Sequence, residues 1–270
     1  MSHDPTLALQ HPTHGWRRSG AVQSLLATVL ALLGALAVAS PASALEQQIS
    51  VASTDAFGFS VAVQGDTLRI ECNYLSLCDN LLDPAHVTFV HTTTLGTPAG
   101  ATVPVNNEYR KNEITVWRWI RNAPPIPLFA KFGKMSGMVD RWHYYNYSTP
   151  CYFAIDMGSC PTGSIPDMEK RSEGIRMFAC HLLTPVDERT VLQHWFHVRN
   201  FRTDEKDIDA ELNASLTMAF KEDKVILERI QLEEERDPDV KRIILGIDAA
   251  PMKMRRMVDK LIEAEGSTHH

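Results

Sequence analysis

The sequence predicts an α+β fold in which a curved antiparallel sheet grips one long helix near the carboxyl terminus. Four strand-like segments follow one another without intervening helices, and loops rich in Pro and Gly separate them. Segment 204–235 repeats apolar residues at spacings of three and four, which is typical of an amphipathic helix. Consecutive strands without helices between them indicate an antiparallel meander rather than a parallel sheet.

The amino-terminal 45 residues carry a pattern typical of export or anchoring. Arg17 and Arg18 precede an uncharged run at 21–39, and Ala42-x-Ala44 follows it. A basic flank, an apolar run and a small-x-small end are the parts of a secretory signal, and the run also has the length of a membrane-spanning helix. A core helix and twin-arginine export are further alternatives. Residues 1–45 are therefore interpreted as a signal- or anchor-like segment, and 46–66 as a lead-in.

The globular part, 67–265, is predicted element by element. The patterns predict a strand over 67–77, a helix over 79–91 and a loop over 92–104. Strands follow over 113–121, 150–157, 174–183 and 190–201. The long helix covers 204–235, and a second helix runs from about 251 to 265.

Composition and cysteine spacing exclude several classes of function. The chain has 44% hydrophobic and 22% charged residues, as a globular protein has, and this excludes disordered and collagen-like classes. A net charge of -6 gives no electrostatic basis for binding nucleic acid. Five cysteines without a CxxC pair argue against a zinc finger, so buried reduced thiols are expected. Walker, GxGxxG, GxSxG and HExxH motifs do not occur in the sequence.

The pattern Asp83-x2-His86-x4-His91 is the strongest chemical signal. Two imidazoles and one carboxylate form the ligand set of a mononuclear Fe(II) site with open coordination positions. His86 and His91 are five residues apart, about 140° around an ideal helix, so both reach one metal only if the helix bends or ends. Asp83 need not be a ligand, and a carboxylate from another element is an alternative. The structural alternatives are Asp83-Pro84 as a helix start and the histidines as core residues.

Five more residues are candidates for the wall of a substrate pocket. They are chosen from the strands and the long helix: Trp117, Trp119, Ser148, Arg176 and Ala214. Arg176 is suited to pair with a substrate carboxylate, although a solvated arginine fits the pattern equally well. For the tryptophans, a place in the core is the alternative.

Several motifs in order resemble Rieske-type non-haem iron oxygenases, in particular the vanillate and dicamba O-demethylase branch. Segment 79–91 (DNLLDPAHVTFVH) is similar to the iron-binding N-L-x-D-x2-H-x4-H segment of that family. Segments 129–132, 181–185 and 199–201 are similar in the same order. Segment 220–224 (FKEDK) resembles a helical F-x-E-D-x segment whose Asp is an iron ligand. The resemblance runs from about residue 67 to the end.

The resemblance implies an Fe(II) site formed by His86, His91 and Asp223. It implies that Asp83 relays electrons from a Rieske cluster of a neighbouring subunit, or orients a histidine, and that Asn80 lies beside the iron. The implied fold is the helix-grip, or Bet v1-like, catalytic domain, with the substrate between the sheet and the long helix. A homotrimer is also implied.

The chain departs from the family in one respect, because the 270 residues contain no CxH or CxxH ligand pair for a [2Fe–2S] cluster. The cluster is therefore expected only on a separate partner, a Rieske or ferredoxin-type electron donor. A truncated or frame-disrupted oxygenase, a chain that pairs with a separate Rieske protein, and a module without catalysis are the three explanations. The family is cytoplasmic, whereas residues 17–44 resemble a secretory signal or membrane anchor.

The resulting hypothesis is a mononuclear non-haem Fe(II) monooxygenase that uses O2. It would O-demethylate or hydroxylate a small aromatic or apolar substrate with electrons from an external donor. The alternative is a truncated, non-catalytic module that binds an apolar ligand or iron.

Overall fold

The fold is built on an eight-stranded antiparallel sheet. The computed structural model describes residues 51–53, 61–165, 168–239 and 242–267. The strands are β1 (Val51–Ser53), β2 (Val61–Ile70), β3 (Asn106–Tyr109), β4 (Glu113–Ala123), β5 (Val139–Ser148), β6 (Tyr152–Pro161), β7 (Ile175–Asp187) and β8 (Thr190–Arg199). They lie in the order β1-β2-β8-β7-β6-β5-β4-β3. Strands β3 to β8 thus form a meander, and β2 joins it beside β8.

Five α-helices accompany the sheet in the described residues. They are α1 (Tyr74–Leu81), α2 (Val87–Val90), α3 (Pro127–Lys131), α4 (Asp207–Arg236) and α5 (Ala249–Ser267). Helices α1 and α2 lie in the connection from β2 to β3, and α4 follows the last strand. Asn73 starts α1, because its side-chain oxygen accepts a hydrogen bond from the Leu75 N–H at 2.9 Å.

The two faces of the sheet have different roles. On β4, the residues Ile114, Val116, Arg118 and Ile120 are buried and alternate with half-buried residues. We call the side of these buried residues the inner face. Helix α4 packs there through apolar residues at helical spacing, namely Leu212, Leu216, Phe220 and Leu227. The opposite side, the outer face, carries a separate aromatic cluster that contains Trp142 and Tyr144.

This architecture confirms the α+β prediction of an antiparallel sheet and one long carboxyl-terminal helix. Four predicted strands and both carboxyl-terminal helices are present with shifted ends. The predicted strand over 67–77 is wrong beyond Ile70, because Asn73 caps a helix there. The predicted single helix over 79–91 is two short helices separated by a turn.

Strand β5 lies inside a stretch, 127–149, for which the sequence predicted no element. Its residues are buried on both faces, from Val139 to Tyr145, and they include Asp140, Arg141 and His143. A strand buried on both faces has no alternation of polar and apolar residues, so its period is absent from the sequence. Helix α3 was missed as well, because five residues are too few to show a period.

The predicted signal- or anchor-like segment lies outside the described residues. Within the described residues, no helix combines the length and the apolar character needed to cross a membrane.

Candidate metal centre

The two histidines of the central motif lie on either side of a break between α1 and α2. Helix α1 ends at Leu81, and the Asp83 carboxylate accepts hydrogen bonds from the N–H groups of Ala85 (2.7 Å) and His86 (3.2 Å). These bonds shape the turn before α2. Because of this turn, His86 and His91 are not on one continuous helix, and their rings meet edge to face with centroids 5.2 Å apart.

Helix α4 brings a carboxylate to the same point. The Nε2 atoms of His86 and His91 are 3.3 Å apart. Asp223 Oδ1 lies 3.2 Å from Nε2 of His91 and 3.6 Å from Nε2 of His86. The three side chains are 15%, 2% and 7% exposed for His86, His91 and Asp223, so the triangle of donor atoms is largely shielded from water.

The triangle fits a divalent transition metal. Metal–nitrogen and metal–oxygen bonds of about 2.1 Å, with angles between roughly 90° and 110°, place neighbouring donor atoms about 3.0–3.4 Å apart. The three observed separations lie in or close to this range. Two imidazoles and one carboxylate on one side of an ion are the donor set of non-haem Fe(II) sites, which leave the other side open.

Each histidine is held in the tautomer that exposes Nε2. Nδ1 of His86 donates to the Asp83 carbonyl oxygen at 2.5 Å, and Nδ1 of His91 donates to the Glu222 carboxylate at 2.8 Å. A carbonyl or carboxylate oxygen only accepts, so Nδ1 carries a proton, and in the neutral imidazole the lone pair lies on Nε2, where a metal would bind. The Asn80 amide donates to Asp223 Oδ1 at 3.1 Å and orients that carboxylate.

The pKa values of the two histidines are shifted in opposite directions. Burial lowers the pKa of His86, although Asp223 opposes this effect. For His91 burial also acts to lower the pKa, but Asp223 and Glu222 outweigh it, so the pKa of His91 is raised. Asp223 and Glu222 thus place negative charge beside His91, which suits the binding of a cation.

A buried arginine supports the turn from behind. Arg118 on β4 donates to the carbonyl oxygens of Pro84 and Gly100, both at 2.7 Å. Its side chain is 2% exposed. The turn that carries Asp83 and His86 is therefore tied to the sheet.

A cavity opens beside the triad between the sheet and α4. The space between its lining atoms is about 500 Å³, open solvent at the mouth included. Much of its wall is apolar, formed by Leu81, Val87, Leu95, Ile155, Leu216 and Phe220. Asn80, His143 and Tyr145 are polar members of the wall besides the triad. The wall beside the triad is therefore largely apolar.

The structure brings together the motif residues but not the other pocket candidates. Trp117 stacks on Tyr144 on the outer face with ring centroids 5.5 Å apart, and Trp119 belongs to the same cluster. Their positions alternate with the inward Val116, Arg118 and Ile120, which is the physical reason that they do not line this cavity.

The remaining three candidates also lie away from the cavity. Ser148 is half-buried at the end of β5, in register with Glu113 and Tyr152. Arg176 forms a two-point ion pair with Asp156, at 2.8 and 2.6 Å, so its charge is already satisfied within the protein. Ala214 is exposed on α4, on the side away from Leu212 and Leu216.

Sequence reasoning missed two residues that hold the site: Glu222 and Arg118. The adjacency of Glu222 to Asp223 was a usable signal, although neighbours on a helix point about 100° apart. Nothing in the local pattern distinguished Arg118 from an ordinary strand residue, because its partners, Pro84 and Gly100, lie in the connection before β3.

Comparisons with known proteins agree with this geometry. Residues 70–264 match the family described as the vanillate O-demethylase oxygenase C-terminal domain. The toluene-4-sulfonate monooxygenase system iron-sulfur subunit of Comamonas testosteroni is 31% identical over 203 residues, 73% of this chain and 58% of that protein. The dicamba O-demethylase oxygenase component of Stenotrophomonas maltophilia is 27% identical over 74% of this chain and 58% of that protein.

A solved structure shares the fold. Dicamba monooxygenase bound to 3,6-dichlorosalicylic acid superposes with a TM-score of 0.69 at 26% identity, covering 76% of this chain and 60% of that one. This chain spans about three-fifths of the length of the curated relatives that it matches.

Proposed function

Because this chain belongs to the family of vanillate O-demethylase oxygenase C-terminal domains, we propose that it is the catalytic part of a mononuclear non-haem Fe(II) monooxygenase. Its substrate is a small aromatic or apolar compound, and its reaction is O-demethylation or hydroxylation with O2. The observation that carries the proposal is the triangle of His86, His91 and Asp223 donor atoms beside an apolar cavity.

In this proposal His86, His91 and Asp223 hold the iron. Iron(II) bound there supplies the activation of oxygen, which the side chains of the protein cannot perform. The Asp83 carbonyl and the Glu222 carboxylate keep the imidazoles in the binding tautomer, and Asn80 orients Asp223. The apolar wall excludes water and holds the substrate ring against the open side of the triangle.

Electrons are proposed to come from a [2Fe–2S] protein or segment outside these 270 residues, which contain no CxH or CxxH pair. The Asp83 side chain supports a role in electron entry, because it is 30% exposed while its main chain bonds the metal-facing His86. A homotrimer, in which Asp83 would face the cluster of a neighbouring subunit, is part of the same proposal.

Two predictions of the protein's location disagree: residues 17–44 resemble a secretory signal or membrane anchor, whereas the family is cytoplasmic. We propose to decide between the two locations by sequencing the mature amino terminus. A terminus at Leu45 supports export, whereas an uncleaved chain in the cytoplasmic fraction supports the family's location.

The proposal is tested by the iron content of the full chain after anaerobic reconstitution. We expect about one iron per chain in the wild type and its loss in His86→Ala and Asp223→Ala. His194→Ala is the matched control, because His194 on β8 is a half-buried histidine whose Nδ1 bonds the Thr67 hydroxyl on β2. It is expected to keep its iron.

A folded wild type without iron would contradict the proposal and leave the non-catalytic module as the better account. Iron retained in both triad variants would contradict the ligand assignment. With iron present, an aryl methyl ether, O2 and two reducing equivalents are expected to give one phenol, one formaldehyde and one water. Formaldehyde release is the measurement for the demethylation reaction.

A further inference from the structure

A largely buried carboxylate joins the end of α1 to the carboxyl-terminal helix. Asp79 lies in the last turn of α1, and its side chain is 25% exposed. Arg255 of α5 donates to both carboxylate oxygens, from Nε at 3.1 Å to each and from a terminal nitrogen at 2.5 Å. Such a contact restricts distance and angle together, because the guanidinium and carboxylate groups are both planar. Asp79 therefore fixes the end of α1 against α5.

A second arginine extends this contact to α4. Arg242 lies in the connection between α4 and α5, and one terminal nitrogen of its side chain is 3.3 Å from Asp79 Oδ2. The other terminal nitrogen is 2.5 Å from the Glu234 carboxylate, which belongs to α4. We call Asp79, Arg255, Arg242 and Glu234 the helix clamp. The helix clamp links α1, α4 and α5 through side chains of opposite charge.

The helix clamp joins the same two helices that lead to the donor atoms of the triad. Asn80 directly follows Asp79 and donates to Asp223 Oδ1 at 3.1 Å. Helix α1 leads through the turn at Asp83 to the histidines, whereas Asp223 lies on α4. The distances from Asp223 to the two imidazoles are 3.2 and 3.6 Å. A shift of α1 against α4 would change these distances and the hydrogen bond of Asn80.

Burial makes the two central charges of the helix clamp depend on each other. Burial raises the pKa of Asp79, although Arg255 and Arg242 act to lower it. Burial acts to lower the pKa of Arg255, but Asp79 outweighs this effect, so the pKa of Arg255 is raised. Removal of either partner leaves a partly buried charge uncompensated, which is unfavourable. We expect the end of α1 to shift towards water in response.

We propose that Arg255 is a positioning residue for the metal centre, because through Asp79 it holds the end of α1 at the separation from α4 that the triad needs. Arg255 lies outside the cavity wall, so it acts through Asp79 and Asn80. The inference rests on the proposed function, because it concerns the metal of the proposed triad. It gives helix α5 a role in metal binding.

The first test compares Fe(II) binding by the full chain and its variants under anaerobic conditions. Arg255→Met keeps much of the length of the side chain and removes the ion pair. We expect it to weaken Fe(II) binding by about tenfold, the lower end of the range for side chains that orient metal ligands. Arg255→Lys retains the charge and should recover part of this loss. The measurement is the dissociation constant by competition with a chelator.

Co(II) in place of iron reports the geometry of the site. Its visible absorption depends on the number and arrangement of the ligands, so a displaced Asp223 should alter the spectrum of Arg255→Met. A variant that is only less stable would give the wild-type spectrum per bound ion. Arg189→Met is the matched control, because Arg189 lies in the β7–β8 connection and forms an ion pair with Glu235 of α4 at 2.6 Å. It is expected to keep the affinity and the spectrum.

Unchanged Fe(II) affinity in Arg255→Met, an unchanged Co(II) spectrum, or an equal effect in Arg189→Met would refute the inference. Circular dichroism checks the fold of each variant. If Arg255→Met is unfolded, Arg255→Lys decides by the same two measurements, with an expected loss of affinity of about threefold or more. Wild type without iron would defeat the proposed function, whereas iron-loaded protein without an effect at Arg255 would defeat this inference alone.

Discussion

The carboxylate of Glu222 determines how His91 presents its ring. Glu222 accepts the Nδ1–H of His91 at 2.8 Å and lies directly before the proposed ligand Asp223 on α4. Carboxylates in this position raise the basicity of a metal-bound imidazole and fix its orientation, and their removal commonly weakens metal binding about 10–100-fold.

At this scale we predict that Glu222→Ala weakens iron binding by about 10–100-fold while the fold is retained. The measurement is the dissociation constant of Fe(II) by competition with a chelator. Glu233→Ala is the control on the same helix, because the Glu233 side chain forms an exposed ion pair with Arg236 and no other ion pair within the part of the chain that the structure describes. Equal iron affinity in the two variants would show that Glu222 has no role in orienting His91.

Single residues also show what sequence reasoning could locate. Asn80, Asp83, His86 and His91 were named from one motif and Asp223 from the resemblance of a second segment, and the structure brings these residues together. Their roles at a metal stay predictions. Trp117 and Trp119 were chosen for their type, and residue type does not reveal which face of a strand a side chain occupies. The register of β4 with β5 decides that, and it depends on contacts between segments far apart in sequence.

Among the elements, the short helix α2 depends on a close approach at its end. The carbonyl oxygen of His91 accepts hydrogen bonds from the N–H groups of Thr94, Leu95 and Gly96. A Cβ atom on Gly96 would lie 2.1 Å from the Val87 carbonyl oxygen and 3.2 Å from that of His91. Only glycine allows the chain to pass so close to α2.

We therefore predict that Gly96→Ala lowers the free energy of unfolding by about 1–3 kcal/mol and weakens iron binding, because α2 must shift and carries His91 with it. Urea denaturation and iron titration are the measurements. Gly246→Ala is the matched control, since no atom of the described ranges lies within 4 Å of the added methyl group. A Gly96→Ala variant as stable as this control would disprove the close approach.

The sequence predicted the elements that show a period and missed those that do not. Helix α4 exposes one side and buries Leu212, Leu216 and Leu227, so the 3.6-residue period of its apolar residues is visible in the sequence. Strand β5 is covered on both faces and shows no pattern. The sequence did not predict the break between α1 and α2 directly. It indicated only that His86 and His91 could reach one metal if the helix bends or ends between them.

For the whole molecule, the buried histidines predict sensitivity to acid. Burial lowers the pKa of His181 and of His197 to about 4 from the ordinary 6.5. Because their folded pKa is lowered, their contribution to stability is complete above pH 6.5 and is lost as the pH falls towards 4. In that window the unfolded chain binds protons that the folded chain does not.

We predict that the free energy of unfolding decreases by about 1.4 kcal/mol per pH unit for each such histidine between pH 6.5 and 4. Urea denaturation across this range measures the slope. His197→Gln should reduce this slope of the free energy of unfolding against pH by the contribution of one histidine. Below about pH 4, Asp140 and Asp156 account for the further loss of stability, because the pKa of each carboxyl group is lowered despite burial. For Asp140 main-chain N–H donors and Arg121 lower the pKa. For Asp156 Arg176 and Arg171 lower it. An identical slope in wild type and His197→Gln would contradict the prediction.

The triad also has a consequence for the chain as a polymer. His91 and Glu222, the neighbour of Asp223, are 131 positions apart, and strands β3 to β8 lie between them. An ion held at both ends of this segment acts as a removable cross-link, and closing so long a loop takes more entropy from the unfolded chain than closing a short one. If the triad holds iron as proposed, loss of the ion would shorten the lifetime of the folded chain as well as end its chemistry.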